Sequence, residues 1–247
     1  MKSVFLRSLA VCSACAAILT TSCSPSYNSI KRMQKLEEGV ANPTTKEELA
    51  AAIKKYDQRA IDLATTEAQE GIWYKMLGIR YLDEQMYGKA FEAFQKALNY
   101  YPNNANIYYY IALCAGYLAN ASLDFEANGG LVSAEKKQHY LSLSESAYLQ
   151  ALEIEPQYYR ALYGIGVLYV FELDECEKAV PYLERYLQTQ TKDTNGMFVL
   201  ARAYFVLNQY DKAVELYDRI IKLNPNQKKT EEAEANKKYV LDIQYSR

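Results

Sequence analysis

Histidine is almost missing from this chain, and its scarcity removes most of the catalytic and metal-binding chemistry that depends on imidazole. The single histidine, His139, stands among lysines and a glutamine, as expected of a surface helix residue. The sequence has no glycine-rich phosphate loop, no nucleophile motif and no cysteine pair at metal-ligand spacing. Acidic residues are plentiful, but nothing in the pattern directs two of them to one cavity. We therefore predict a protein that is not an enzyme and that holds no cofactor or metal ion.

An excess of positive charge is missing as well. Lys and Arg number 28 against 30 Asp and Glu, which gives a formal net charge of −2, and no stretch interleaves basic with aromatic residues. Nucleic-acid binding is therefore not expected. Long apolar runs are also missing after the first two dozen residues, so no transmembrane helix is predicted beyond them. What the chain has instead is 24 tyrosines in a half-hydrophobic composition, which favours a helical protein packed through tyrosine.

The first two dozen residues predict a targeting segment rather than part of the fold. Two basic residues begin it, an apolar stretch ends at Leu19, and three small or polar residues precede Cys23. This arrangement resembles the signal of bacterial lipoproteins, although Leu19 stands four residues before the cysteine instead of three. The alternatives are cleavage as an ordinary secretory signal, or use of Cys15, which would leave a very short apolar core.

The resemblance implies a signal peptide over residues 1–22 and a lipidated Cys23 as the mature N-terminus. Two or three acyl chains hold a protein lastingly on a membrane. Residues 23–44 would then form a tether and a short N-terminal helix. Serine rather than aspartate at position 24 favours the outer membrane in such lipoproteins. We therefore expect a bacterial cell-envelope protein, lipid-anchored on the periplasmic side of the outer membrane.

A spaced set of apolar and small residues occurs twice with the same internal spacing. The first set is Tyr74, Leu77, Gly78, Tyr81, Ala90, Phe94, Ala97 and Pro102. The second set is Met197, Leu200, Ala201, Tyr204, Ala213, Tyr217, Ile220 and Pro225. Within each set the apolar positions fall three or four residues apart, which predicts two helices that face each other through apolar stripes. The small residue lets these helices approach closely, and the proline ends the second helix.

Two less regular copies lie between these sets. One comprises Leu162, Ile165, Gly166, Tyr169, Ala179, Leu183 and Tyr186, with one extra residue in the turn and no closing proline. The other comprises Tyr108, Ile111, Ala112, Ala115, Ser144, Tyr148, Ala151 and Pro156, and a long insertion separates its halves. The four tandem copies resemble the tetratricopeptide repeat, whose pattern places an aromatic residue, Leu-Gly, Tyr, a small residue, an aromatic residue and Pro at these positions.

The resemblance implies an all-α fold, a right-handed superhelical solenoid of about four helical hairpins with a capping helix at each end. The array would span residues 71–227, with hairpins at 71–104, 105–158, 159–193 and 194–227 and the insertion near 119–138. Residues 45–70 should form the N-terminal capping helix, with a degenerate repeat as the alternative, and should begin with a capping box of Thr45 and Glu48. This cap should bury a face of Leu49, Ile53, Tyr56, Ala60 and Leu63. Residues 228–247 should form a C-terminal cap with a polar outer face.

The insertion carries a weaker pattern of its own. Six of its residues match positions of a calcium-binding loop, in which alternating oxygens and a final glutamate surround the ion; they are Asp124, Glu126, Asn128, Gly129, Leu131 and Glu135. Val132 offers no oxygen at the ninth position. The alternative, which we favour, is that Asn128 and its two following glycines turn the chain between elongated helices. Cys114 and Cys176 fall in different elements, so we expect free thiols there.

The first helices of tetratricopeptide repeats line a concave face along which a ligand lies. The resemblance therefore implies a partner-binding face of Lys75, Ile79, Tyr109, Leu113, Tyr117, Tyr163, Val167, Val170, Phe171, Phe198, Arg202 and Phe205. Most of these are apolar or aromatic, and large apolar patches typically mark contact sites. Repeats that clamp a terminal carboxylate place Lys and Asn at set positions on this face. Lys75 fits one such position but the Asn positions are not matched, which disfavours a clamp.

These patterns predict a scaffold or adaptor that binds a protein or peptide partner in the cell envelope. A module that handles a small apolar ligand for a transport system is the alternative, provided that the groove closes into a cavity. It is also open whether the insertion or the terminal helix of the chain itself fills the groove.

Overall fold

The computed structural model describes residues 45–124 and 131–246, and every regular element in these ranges is an α-helix, which confirms the predicted all-α fold. The predicted signal peptide 1–22, Cys23 and the tether 23–44 lie outside them. The chain divides into two units, residues 1–62 and 63–247. The described helices are α1 Lys46–Asp83, α2 Tyr87–Tyr100, α3 Ala105–Asp124, α4 Leu131–Ile154, α5 Tyr159–Phe171, α6 Cys176–Thr189, α7 Thr194–Val206, α8 Tyr210–Leu223 and α9 Gln227–Tyr245.

Helix α1 joins two predicted elements into one helix of 38 residues. It begins with the predicted capping box, in which Thr45 Oγ1 accepts from the Glu48 amide at 3.2 Å and Glu48 Oε2 accepts from the Thr45 amide at 3.1 Å. The boundary predicted at residue 70 does not interrupt it, because no proline occurs in this stretch. Gly71, the weakest helix former near that boundary, is held by close packing: a Cβ there would come within 2.6 Å of Tyr100 Cβ.

The expectation that the first half of α1 buries an apolar face is wrong in the described structure. Leu49, Ile53 and Leu63 expose 46, 61 and 62% of their surfaces. The reason is the continuity of the helix: α1 runs on into the first repeat instead of turning back as a separate capping hairpin.

Within residues 63–247 the helices pair into hairpins through close contacts at small residues. Gly78 of α1 lies against the Phe94 ring of α2, and Gly166 of α5 lies against Leu183 of α6; a Cβ would come within 2.7 and 2.5 Å of these side chains. The second repeat has Ala112 at this position, and Ser144 Oγ donates to its carbonyl at 2.8 Å. Ala90 and Ala213, the small residues that we expect to let the paired helices approach, are fully buried.

The turns inside the first, third and fourth hairpins share one design. Each contains a residue with positive φ, at Gln85, Asp174 and Asn208. The amide of the following residue then donates back to a tyrosine carbonyl, as from Met86 to Tyr81 at 2.8 Å, which closes the helix end as a Schellman turn does. The third turn, Glu172–Glu175, is one residue longer than the other two, as predicted from its spacing.

The insertion lengthens the second hairpin rather than adding a separate element to the described chain. Helices α3 and α4 have 20 and 24 residues, against 13 or 14 in each of α5 to α8. Residues 125–130, which lie between them in the sequence, are outside the described ranges, and with them half of the candidate calcium loop 124–135.

Helix α9 occupies the end of the array, one residue earlier than predicted. Asn226 caps it by accepting from the Lys229 amide at 2.9 Å. Ala233 and Val240 are buried, at 0 and 2% exposure, where α9 packs on α8. None of the described helices is long and apolar enough to cross a membrane.

Candidate functional site

The predicted face residues fall on the four helices that begin each hairpin. Lys75 and Ile79 lie on α1; Tyr109, Leu113 and Tyr117 on α3; Tyr163, Val167, Val170 and Phe171 on α5; Phe198, Arg202 and Phe205 on α7. Most are half-buried, whereas Tyr117, Phe171 and Arg202 are exposed. Val170 is the exception, with 3% exposure. One helix position separates it from Phe171, a rotation of about 100°, and this turns its side chain into the core and away from the face.

Four of these residues come together in a pocket of about 320 Å³ near the end of the array. They are Phe171, Phe198, Arg202 and Phe205. Helix α9 closes the opposite wall with Tyr239, whose ring centroid lies 5.8 Å from that of Phe205. The Tyr217 ring, 6.1 Å from Phe198, also contributes. The terminal helix thus closes one end of the groove and leaves a pocket whose walls are aromatic.

The polar side chains that line this pocket are Arg202, Glu232, Asn236, Tyr217 and Tyr239. The Arg202 guanidinium carbon lies 5.2 Å from the Phe171 ring centroid, a cation–π contact between neighbouring repeats. Arg202 forms no ion pair with any described residue. Burial raises the pKa of Tyr217, while Arg202 lowers it and Glu232 raises it, so both charges act on its hydroxyl. A ligand in the pocket would meet aromatic surface together with an available guanidinium.

The middle of the face is a rigid tyrosine cluster rather than an open groove. The Tyr109 ring packs edge-on against Tyr158 at 5.8 Å, and Asn106 Nδ2 donates to the Tyr158 hydroxyl at 2.8 Å. Burial raises the pKa of Tyr109, and the nearby Arg160 opposes that shift. Because these rings hold one another, this part of the face offers a preformed surface with little rotamer freedom to lose on binding.

Two neighbouring aromatic residues of the face are also fixed by packing. Tyr163 lies 5.2 Å from the Tyr186 ring, whose hydroxyl donates to Asp193 Oδ2 at 2.7 Å. Asp193 in turn caps α7 by accepting from the Gly196 amide at 3.0 Å. On α3, Tyr117 stacks on Tyr87 of α2 with ring centroids 4.5 Å apart. These ring contacts and hydrogen bonds position the face residues of adjacent helices relative to one another.

The sequence left open whether the terminal helix of the chain fills the groove, but it did not identify the α9 residues that line the pocket. Glu232, Asn236, Tyr239 and Val240 all line the pocket. Their spacing of three, four or seven residues puts them on one face of the helix. That spacing is visible in the sequence, but nothing in the sequence shows that this face meets α7.

Two further sequence features have definite places in the structure. Cys114 and Cys176 are buried free thiols, and burial raises the pKa of the Cys114 thiol to about 12. Among the residues that the structure describes, no three His, Cys, Asp or Glu side chains are arranged to hold a metal ion; this does not test the candidate calcium loop, since residues 125–130 are not among them.

Comparison with known sequences identifies one family and one relative. The sequence model of the tetratricopeptide repeat matches residues 196–227. A protein described as a TPR repeat-containing protein, from Borreliella burgdorferi, is 25% identical over 193 residues, which cover 77% of this chain and 80% of that protein.

Comparison with solved structures shows the same fold. MamA from Desulfovibrio magneticus RS-1 is similar with a TM-score of 0.53 and 16% identity, covering 72% of this chain and 97% of that one. YrrB, described as a TPR protein with an unusual peptide-binding site, has a TM-score of 0.51 and 16% identity, covering 83% of this chain and 97% of its own. At these identities the likeness supports the solenoid architecture alone.

Proposed function

We propose that this chain is a tetratricopeptide-repeat adaptor that holds a segment of a partner protein on the face lined by α1, α3, α5 and α7. The proposal includes no chemistry, and it places the adaptor in a bacterial cell envelope, attached to the periplasmic side of the outer membrane through lipidated Cys23. The peptide-binding site ascribed to YrrB, which shares the fold, is consistent with this use of the face.

The observation that carries the proposal is the pocket beside Arg202. Its volume of about 320 Å³ and its walls of Phe171, Phe198, Phe205 and Tyr239 suit one bulky apolar side chain. Arg202 stands at this pocket without an ion pair among the described residues, ready to pair with a carboxylate of the bound segment. We therefore expect the partner to present a bulky apolar or aromatic residue with an acidic residue close to it.

The test uses tagged, lipidated protein pulled down from native membranes in mild detergent, followed by mass spectrometry. Phe171→Asp and Arg202→Glu alter exposed side chains, so the fold should persist while a stoichiometric partner is lost at least tenfold. Leu149→Asp is the matched control, because Leu149 is exposed to a similar extent, 39% against 49% for Phe171, but lies on α4 away from the pocket. A partner retained by both pocket variants would contradict the proposal.

Membrane attachment is tested separately. Cys23→Ser removes the proposed lipidation site and should move the protein out of the membrane fraction with its helical circular dichroism unchanged. Persistence of the Cys23→Ser variant in membranes would count against lipid anchoring while leaving the adaptor proposal intact.

A second candidate function is the handling of a small apolar ligand. The pocket volume lies at the lower end of the range of small-molecule sites, about 300–1,000 Å³, and five aromatic rings line it. An apolar metabolite that co-purifies with the wild-type protein, and is lost with Phe171→Asp, would favour this function if no stoichiometric protein is captured.

A further inference from the structure

The first repeat exposes residues at positions that are buried in every later repeat. Leu77 of α1 is 42% exposed, whereas its equivalents Ile111, Ile165 and Leu200 expose 8, 0 and 3%. Trp73 is 61% exposed, whereas the equivalent Ile107 and Ala161 are fully buried. In the later repeats the second helix of the preceding hairpin covers these positions, through the pairs α2–α3, α4–α5 and α6–α7.

The side chains at these positions also differ in size between the first repeat and the third and fourth repeats. The third and fourth repeats carry glycines that admit the preceding helix: a Cβ at Gly164 would come within 2.5 Å of the Tyr148 ring, and one at Gly196 within 2.6 Å of the Tyr186 ring. The first repeat has Met76 where the third has Gly164, and Trp73 where the fourth has Gly196, whereas the second has Tyr110 and Ile107 at these positions. The first repeat thus carries large apolar side chains at positions where the third and fourth repeats pack closely against the preceding helix.

We propose that this surface, formed by Trp73, Met76, Leu77 and Arg80 and called here the α1 end face, binds the same face of a second copy of the chain. Because the equivalent positions receive a helix in each later repeat, the occupant is a helix with its own apolar stripe. Within residues 63–246, helix α1 carries such an exposed stripe of large apolar residues, and a two-fold axis makes the stripe self-complementary.

Two observations favour this face-to-face dimer over head-to-tail stacking, in which the α1 end face of one copy would lie on α9 of the next. They are the charges near the α1 end face and the side chains that α9 exposes. An antiparallel pair in which Trp73 of one copy meets Leu77 of the other brings Arg80 level with the oppositely charged Glu70 of the second copy. Arg80 has no ion pair among the described residues. Helix α9, by contrast, exposes the acidic Glu231 and Glu234 together with Tyr239 and Tyr245, so an apolar end face stacked on it would also meet carboxylates.

The interface is small, so the predicted dimer is weak. One helix pair that meets at four side chains buries less than an interface of standard size, which covers about 800 Å² per partner. We expect a dissociation constant on the order of micromolar or weaker. The chain should therefore convert from monomer to dimer at protein concentrations that can be prepared.

The chain provides its own reporter, because Trp73 is the single tryptophan. The full chain carrying Cys23→Ser is followed by light-scattering mass and by tryptophan quenching with iodide as its concentration rises from about micromolar to several hundred micromolar. The mass should double while quencher access to Trp73 falls several-fold and its emission shifts to shorter wavelength. Met76→Glu should abolish both changes, and Met86→Glu, also an exposed methionine but outside the face, should not.

Three results would overturn the inference. They are a wild-type monomer with accessible Trp73 throughout the range, a Trp73 that is shielded independently of concentration, and a dimer that Met76→Glu leaves unchanged. The first two would mean that nothing, or another part of the same chain, covers the face. If Met76→Glu loses helical content, Met76→Gln replaces it, with the same expected loss of dimer.

Discussion

The two ends of the array within residues 63–246 differ in how far their apolar side chains are buried. At one end α9 buries Ala233 and Val240 on α8 and exposes acidic side chains; at the other, α1 exposes Trp73 and Met76. A repeat array needs a polar-faced cap wherever its stacking stops. The comparison teaches that α9 covers the apolar surface of the last hairpin, whereas the first repeat leaves large apolar side chains of α1 uncovered.

The largest expected difference in unfolding free energy is between two variants that each place an aspartate at one end of the array. Ala233→Asp places a carboxylate at a fully buried position of α9 and should lower the free energy of unfolding by about 3 kcal/mol or more. Trp73→Asp changes an exposed residue and should stay within about 0.5 kcal/mol of the wild type in dilute solution. Urea unfolding followed by circular dichroism measures both variants. Equal losses would mean that the α1 end is as closed as the other one.

A substitution of intermediate effect tests whether the two helices of the first hairpin pack as tightly as those of the later hairpins, although the α1 end face is exposed. Gly78→Ala should cost about 1–3 kcal/mol, because the new Cβ would lie within 2.7 Å of the Phe94 ring. Gly88→Ala on α2 is the control, since no atom lies within 4 Å of its Cβ position, and it should stabilise by about 0.5–1 kcal/mol. Thermal unfolding of the two variants should shift in opposite directions.

A smaller effect concerns tyrosines at equivalent positions of three repeats. The Tyr169 hydroxyl donates to Glu145 Oε1 of the preceding hairpin at 2.7 Å, and Tyr204 donates likewise to Glu184. Tyr169→Phe and Tyr204→Phe should each cost about 1 kcal/mol. Tyr81 occupies the position in the first repeat, where no described helix precedes it, so Tyr81→Phe should change the unfolding free energy by less than about 0.5 kcal/mol. A comparable cost at Tyr81 would reveal a partner for its hydroxyl.

These hydrogen bonds also predict a pH dependence. Burial, and then the hydrogen bond with the glutamate, raises the pKa of Tyr169 and Tyr204. A pKa raised by folding means that the native state keeps protons that the unfolded state releases, so the stabilisation is complete at neutral pH and declines above about pH 10. The unfolding free energy of the double Phe variant should fall less steeply with rising alkalinity, and an unchanged slope would contradict the assignment.

Much of the fold follows from spacing, because a helix repeats its side-chain directions every three or four residues. The Gly78–Phe94 and Gly166–Leu183 contacts are examples in which sequence position alone identifies the partners. The long α1 was missed because the expected boundary rested on the repeat period, whereas helix continuity depends on the absence of a breaker. The lengthened α3 and α4 agree with the interpretation of the insertion as a turn between elongated helices.

The candidate site was less accessible to sequence reasoning, because it depends on which helices meet. The contact between Arg202 and Phe171 joins two repeats, and the approach of Tyr239 to Phe205 depends on how α9 docks. Val170 shows that a difference of one position along a helix decides whether a side chain belongs to the site. It adjoins Phe171 in sequence, yet it lies in the core while Phe171 lines the pocket.

The most direct test of the adaptor proposal places a photo-crosslinking amino acid at position 171, on the pocket, and separately at position 149, on α4, in cells that express the lipidated protein. The account predicts that position 171 gives one dominant protein adduct, which Arg202→Glu suppresses, and that position 149 does not give that adduct. No adduct at 171, or the same adduct at both positions, would contradict the claim that this pocket holds the partner.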